Sequence, residues 1–275
     1  MASPSNKIAA RISDGLKRFQ PIVESAKSRD VNESDTVVLL TGILSEILGF
    51  DKYTDITTEL SIRGTYCDLA LKIDGKFCFL LEAKAIGIEL KDNHIKQAVD
   101  YAANKGIEWV LLSNAVSWKV FKIVFAKPIN HILVLELDFL KLNHKNSNDI
   151  EALFTLSKEA VAKSSLDEHF TQKQATSRFV IGTIVCSDAV ISAIRKELKN
   201  LFPDIKVSSE EISKVVIHEV LRREIVEGDE SDEAQKKITR ASKKREKEKG
   251  DRDTTKPSQD SEVATGTNPE TATMN

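Results

Sequence analysis

The chain has 275 residues, 41% hydrophobic and 30% charged, and 40 Lys and Arg against 42 Asp and Glu leave a net charge of −2. That size and composition suit one or two soluble domains with a real core. The balanced charge excludes a global electrostatic pull toward nucleic acid or an anionic membrane, so any basic surface must be local. Cys67, Cys78 and Cys186 are odd in number, lie in apolar runs and form neither a CxxC pair nor a zinc-type Cys/His spacing, so they read as buried free thiols of a reducing compartment. The N-terminal residues lack the apolar core of a signal peptide, and no apolar run reaches the length of a membrane span. The expectation is a cytoplasmic protein without a membrane partner.

Ile8, Ile12, Leu16 and Phe19 have helical spacing; Pro21 is expected to interrupt it, with a second helical stretch through Ala26. Asn32 is the predicted N-cap of an amphipathic helix from Glu33 to Leu48, closed by Gly49. Alternation predicts strands over Thr54 to Arg63, Tyr66 to Ile73 and Phe77 to Ala83. A helix between Leu90 and Lys105 ends at Gly106, and strands follow at Glu108 to Ser113, Val116 to Phe125 and His131 to Asp138. The order α-α-β-β-β-α-β-β-β predicts an α/β fold, a mixed sheet flanked by helices.

The polar segment Asn143 to Asn148 is the expected boundary between a domain over 31–142, preceded by a helical extension over 1–30, and an α-helical domain over 149–227. The helical domain is expected to hold helices from Ile150 to Ala162, near Leu166 to Thr171, from Gln174 to Leu201 and from Glu210 to Ile225. The third is apolar nearly all round from Ser177 onward, which predicts burial within the domain or in a homo-oligomer interface. Arg178, Lys196, Lys199, Arg222 and Arg223 read first as a solvated face and second as a lining for DNA. Residues 228–275 are charged and then Ser/Thr/Pro-rich, and their composition predicts disorder.

The chemistry concentrates in two of the strands. Asp68, Glu82 and Lys84 sit in or at the ends of apolar runs, where charge is costly unless paired or bound to a metal. Phosphodiester hydrolysis needs a hard divalent cation on oxygen ligands and a positioned water. Two carboxylates suffice for the first requirement. A lysine beside them orients the water and offsets charge in the transition state. The period of two puts Glu82 and Lys84 on one strand face, and Asp68 on the neighbouring strand completes the ligand set. Register tests this. A two-residue type I′ turn at Asp74-Gly75 would set Asp68 opposite Leu81, on the wrong face. The site therefore requires a three-residue loop, Asp74-Gly75-Lys76, or a β-bulge in either strand. The plainer alternative makes Asp68 an exposed strand charge and Glu82 with Lys84 a surface ion pair.

Gln97 and Tyr101, four apart, share one face of the following helix. Asp68, the E-A-K of Glu82 to Lys84, and the Q-A-V-D-Y of Gln97 to Tyr101 together resemble the PD-(D/E)XK nuclease superfamily. More narrowly, residues 30 to 126 resemble the N-terminal nuclease domain of type I restriction enzyme R subunits. The narrower resemblance rests also on N-E-S-D-T (Asn32 to Thr36) and W-V-L-L-S-N-A-V-S-W-K-V-F (from Trp109). It implies a restriction-endonuclease-like fold and a DNA endonuclease that uses Mg²⁺, with Mn²⁺ as a substitute. Asp68 and Glu82 would be metal ligands and Lys84 the catalytic lysine. Glu33 would support the metal or water, and Gln97 and Tyr101 would contact DNA or order the site. Cys67 stands where the superfamily's name has proline. No GxxxxGK[ST] motif occurs, so ATP dependence is not implied. The alternative is a catalytically inactive module on the same fold, binding nucleic acid or a partner.

Overall fold

The structure is a computed structural model that describes residues 3–62, 65–125 and 128–253. The chain divides into two compact units, residues 1–175 and 176–275. Arg63, the expected end of the first strand, and residues 254–275 of the expected disordered tail lie outside the described residues.

The first unit opens with helices α1 (Asn6–Ser28) and α2 (Glu33–Glu46). The strands β1 (Ile56–Ile62), β2 (Thr65–Ile73) and β3 (Lys76–Ala83) follow. Helix α3 (Lys96–Lys105) leads to β4 (Trp109–Ser113), β5 (Ser117–Val124) and β6 (Asn130–Asp138). The six strands form one sheet in chain order, antiparallel throughout except for the parallel pair β3–β4, which α3 connects. This is the mixed α/β sheet flanked by helices that the order of elements predicts.

Strand alternation divides the core between two faces. Leu69, Leu71, Phe79, Leu81 and Leu111 point to the layer built by α1 and α2, whose stripe Ile12, Leu16, Val23, Leu40, Ile43 and Leu44 is fully buried. Ala70, Leu80, Val110 and Leu112 point to the opposite face, beneath Ala98, Val99, Tyr101 and Ala102 of α3. Trp109 and Trp118 are both buried in the core. Gly106 closes α3 in the left-handed conformation, at φ 69°.

Pro21 does not divide α1; the helix runs through it. The missing backbone donor costs a helix interior about 3 kcal/mol in isolation. Here buried side chains on both sides of Pro21, Phe19 before it and Val23 and Ala26 after it, pack into the same core. Gln20 also ties the helix to the far end of the unit, donating from Nε2 to the carbonyls of Phe139 at 2.9 Å and Leu142 at 2.6 Å.

Helices α4 (Ser147–Phe154), α5 (Lys158–Val161) and α6 (Ser165–Ala175) belong to the first unit. Leu153, Phe154, Leu156, Ala160 and Leu166 complete the α1–α2 layer. The polar segment 143–148 is thus a turn within this unit, and the division falls at 175/176. The expected helix from Ile150 to Ala162 is broken because the Ser157 side chain caps a new helix, accepting from the Ala160 N–H.

The second unit holds α7 (Arg178–Val185), α8 (Asp188–Leu201), α9 (Ser209–Val215), α10 (Arg223–Val226) and α11 (Asp229–Asp253). The single helix expected from Gln174 to Leu201 is interrupted at Ser177 and again at Cys186-Ser187, where extended serines start new helices. Ile181 and Ile184 of α7 are exposed, against the expectation of burial all round. A small core of Ile191, Ile212 and Val216 joins α8, α9 and the π-helical turn Val216–Val220. Residues 229–253, expected to be disordered, form α11. Its Glu, Lys, Arg, Ala and Gln are strong helix formers, and the pairs Asp232/Lys236 and Glu233/Lys237 have the favourable i,i+4 order. Among the described residues no helix is long and apolar enough to cross a membrane.

Candidate active site

The hairpin β2–β3 sets the site. Asp74 and Gly75 both adopt positive φ, 49° and 77°, and the partners Ile73↔Lys76 and Lys72↔Phe77 define a two-residue turn of type I′. Left alone, this turn would put Asp68 opposite Leu81. One residue later Leu71 pairs with Phe79, so Cys78 is an extra residue, a β-bulge in β3. Its thiol donates to the Leu71 carbonyl at 3.3 Å. Beyond the bulge the register is Ala70↔Leu80 and Leu69↔Leu81. Asp68 therefore stands level with Glu82, on the same face. Of the two devices that could supply the required shift, the chain uses the bulge.

The end of β3 gathers the charged groups. Asp68 Oδ2 accepts the Ala83 N–H at 2.7 Å, which draws its carboxylate to the strand end. The Lys84 N–H donates to the Ser113 carbonyl at 3.0 Å, extending the pairing with β4 and fixing the direction of the lysine. Lys84 Nζ then lies 2.7 Å from Glu82 Oε1, 2.6 Å from the Ala83 carbonyl oxygen and 3.4 Å from Glu33 Oε2. Glu82 is only 8% exposed.

Glu33 arrives from the other layer through its helix start. The Asn32 side chain accepts the Asp35 N–H at 2.9 Å, as its predicted N-cap role requires. Ile86, two residues past Lys84, donates its N–H to the Val31 carbonyl at 3.3 Å. Gly87 permits the two connectors to touch, since a Cβ there would sit 2.2 Å from Asp30 Oδ1.

Two carboxylates thus pair with one ammonium and a third, Asp68, acts on it through charge, an excess of negative charge at a partly buried point. Burial is the largest influence on Glu82 and raises its pKa; Asp68 and Glu33 push the same way, and Lys84 opposes them. Burial works against the charge on Lys84, but Glu82, then Glu33 and Asp68, outweigh it and hold the amine protonated above its ordinary range.

Comparison with protein-family models, curated proteins and solved structures finds no match for the chain.

The donor set itself fits a hard cation. Asp68, Glu82 and the Ala83 carbonyl offer oxygen only, and two of these oxygens already hold an ammonium. Among the described residues no group of three or more His, Cys, Asp or Glu side chains forms a ready metal cage. Mg²⁺ does not require one, because it commonly takes one or two carboxylates and keeps several waters.

Asp68, Glu82, Lys84 and Glu33 are therefore brought together, and of the two α3 residues one is buried and one exposed. Tyr101 is 3% exposed in the apolar layer with Ala70 and Leu80. Burial, and then neighbouring Cys67, push its phenol to about 12. Gln97 is exposed one helical turn earlier.

Two neighbours of the site were not legible as such. Cys67 packs in the α3 layer with its thiol 3.3 Å from the Leu81 carbonyl, and burial followed by Glu82 and Asp68 raises it to about 12. It is a neutral floor to the carboxylates. Asn114 is the second: its Nδ2 donates to the carbonyls of Ile86 at 3.3 Å and Ile88 at 2.8 Å, and its Oδ1 accepts from Val116 N and Ser117 N. It clamps the segment that follows Lys84 onto the β4–β5 turn. An Asn-Ala turn is visible in sequence, but the partner segment is not.

Proposed function

We propose that the chain is a Mg²⁺-dependent endonuclease that hydrolyses phosphodiester bonds in DNA. The observation that carries this reading is the pairing of Glu82 and Glu33 with Lys84 at a strand end where the one-residue bulge at Cys78 sets Asp68 level with Glu82. A solvated ion pair has no need of a bulge, a buried carboxylate and an excess of negative charge. The same excess disfavours the reading of this site as a metal-free nucleic-acid binder, because uncompensated carboxylates repel phosphates.

Asp68 and Glu82, with the Ala83 carbonyl, are the groups that would hold the cation. When bound, the cation supplies Lewis acidity toward the scissile phosphate and lowers the pKa of a coordinated water. The chain's own groups do the rest. Lys84 would donate from its ammonium to the attacking water or to a non-bridging phosphate oxygen. It thereby orients the nucleophile and offsets charge as the pentavalent transition state forms. Glu33, half exposed beside it, keeps the amine turned toward the site. Asn114 and the pairing of Lys84 with Ser113 hold the strand end rigid, so that these groups need little reorganisation.

DNA as substrate rests on the resemblance of residues 30 to 126 to restriction nuclease domains. The test is cleavage of plasmid and linear DNA with Mg²⁺ or Mn²⁺ by the wild type, Lys84→Ala and Glu82→Ala. The wild type should cut and each variant should lose about 100-fold or more in rate. Cleavage that survives both substitutions would place the activity elsewhere.

A further inference from the structure

The second unit carries a basic concavity. Where α8 turns into α9, a hollow of about 360 Å³ is lined by three cations, Arg195, Lys199 and Lys206, with Ile205 and Val207 as apolar wall. Arg195 Nε donates to the Val207 carbonyl at 3.0 Å. That bond anchors the guanidinium and leaves its two terminal nitrogens for an oxyanion. The one carboxylate at the rim, Glu211, is turned to the Ser208 N–H at 2.8 Å in a capping box.

Among the described residues none of the three cations forms an ion pair. Elsewhere in this unit Arg178 pairs with Glu224 and Arg223 with Glu227. Three like charges around one hollow repel one another, and the concave shape focuses their field. The arrangement calls for an anion with several oxygens.

The adjoining segment indicates which anion. Leu201 and Phe202, at the end of α8, are 64% and 58% exposed, and the Phe202 carbonyl accepts the Ile205 N–H at the hollow's edge. An isolated phosphate would leave that apolar shelf bare. A nucleotide strand would place its backbone in the hollow and a sugar or base on the shelf.

We infer that Arg195, Lys199 and Lys206 form a second nucleic-acid site, which takes the phosphodiester backbone of a strand independently of the strand-end carboxylates in the first unit. The inference goes beyond the nuclease reading and does not depend on cleavage.

The experiment is fluorescence anisotropy with the full chain in EDTA, so that nothing is cut, using single-stranded and duplex oligonucleotides of about 20 nucleotides. The double variant Lys199→Ala/Lys206→Ala should bind at least about tenfold more weakly at about 100 mM salt, and the slope of log affinity against log salt should fall by about 1.5. Lys196→Ala, on α8 but outside the hollow, should stay within about twofold of wild type. Circular dichroism and the melting temperature of the double variant verify its fold. Unchanged oligonucleotide affinity and slope in a folded double variant would overturn the inference. So would a hollow that binds inorganic phosphate, seen as a thermal shift in the wild type alone, while oligonucleotide affinity is the same in both proteins. Equal losses in Lys196→Ala and in the double variant would also overturn it, since general charge would then explain the binding.

Discussion

Asp68 offers a way to separate a structural carboxylate from a metal-binding one. In the fold its Oδ2 accepts the Ala83 N–H at 2.7 Å, at a residue that is fully buried. Asp68→Ala leaves that donor without its acceptor, which costs about 1–3 kcal/mol. Asp68→Asn keeps an amide oxygen in the same place. It exchanges a hydrogen bond to a charged acceptor for a neutral one, a loss of about 1 kcal/mol. It also removes the repulsion that helps raise the Glu82 pKa, an effect of opposite sign. The net change for Asn should lie within about 1 kcal/mol of zero, and Ala should be clearly less stable. Urea unfolding in EDTA measures both. Function should follow the other order: the two variants should lose cleavage alike, by about 100-fold or more. Both should also lose the rise in melting temperature that Mg²⁺ or Mn²⁺ produces in the wild type. An Asp68→Asn protein that cuts DNA at the wild-type rate would refute the assignment of this carboxylate as a ligand.

Other expectations follow from the same packing. Asn114→Ala strips two carbonyl partners from the segment after Lys84 and should cost about 2–3 kcal/mol in urea unfolding, with a fall in cleavage rate at unchanged metal dependence. Asp55 is 7% exposed and accepts both Lys158 Nζ at 2.6 Å and the Asp51 N–H at 2.8 Å, so Asp55→Ala should destabilise by about 2 kcal/mol after allowance for the partly exposed lysine. Burial pushes the Asp55 pKa up, but Lys158 and the Asp51 N–H outweigh it and lower the value overall. Its contribution to stability is therefore present above the ordinary aspartate range and is lost as pH falls through the folded value; the wild-type advantage over Asp55→Ala should vanish in acid unfolding. Pro21→Ala restores a donor inside α1 and should raise stability by about 1–2 kcal/mol. Burial raises all three thiols; Cys67, pushed to about 12, is the one that is fully buried, so a thiol reagent at neutral pH should modify Cys186 before Cys67, and Cys67 only on unfolding.

The sequence carried the sheet and the local geometry of the site further than it carried the helices. Alternation in β1, β2 and β3 and the Asp74-Gly75 dipeptide are short-range signals, and they are enough to require a register shift. Which of the two devices supplied the shift was not legible, because Cys78 as a bulge residue has no local signature; it is fixed by which side chains Phe79 and Leu81 meet in the core. Pro21 and Ser187 show the complementary failure. A proline that looks like a stop is overridden by packing on both flanks, whereas a serine within an apolar run starts a new helix. The helices after residue 147 were assigned to a separate domain because the polar segment before them looks like a linker, yet Leu153, Phe154 and Leu166 pack in the first unit's core. Residues 229–253 have too little apolar surface to predict a fold from burial, but their helix propensity and charge spacing suffice for α11. At the site, Glu82 and Lys84 share a face by strand period, Asp68 joins them only through the register shift, and the role of Glu33 rests on the resemblance. The resemblance makes Tyr101 a residue that contacts DNA or orders the site; its burial in the apolar layer with Cys67, next to Asp68, is set by tertiary packing.

The central claim is that the β2–β3 strand end binds a divalent cation. Crystals of the full chain grown with Mn²⁺ and measured at the manganese absorption edge test it most directly. The account predicts an anomalous peak within coordination distance of Asp68 and Glu82, with Lys84 displaced from the Glu82 carboxylate. Saturating Mn²⁺ with no peak at these carboxylates, and Lys84 still paired to Glu82, would contradict it.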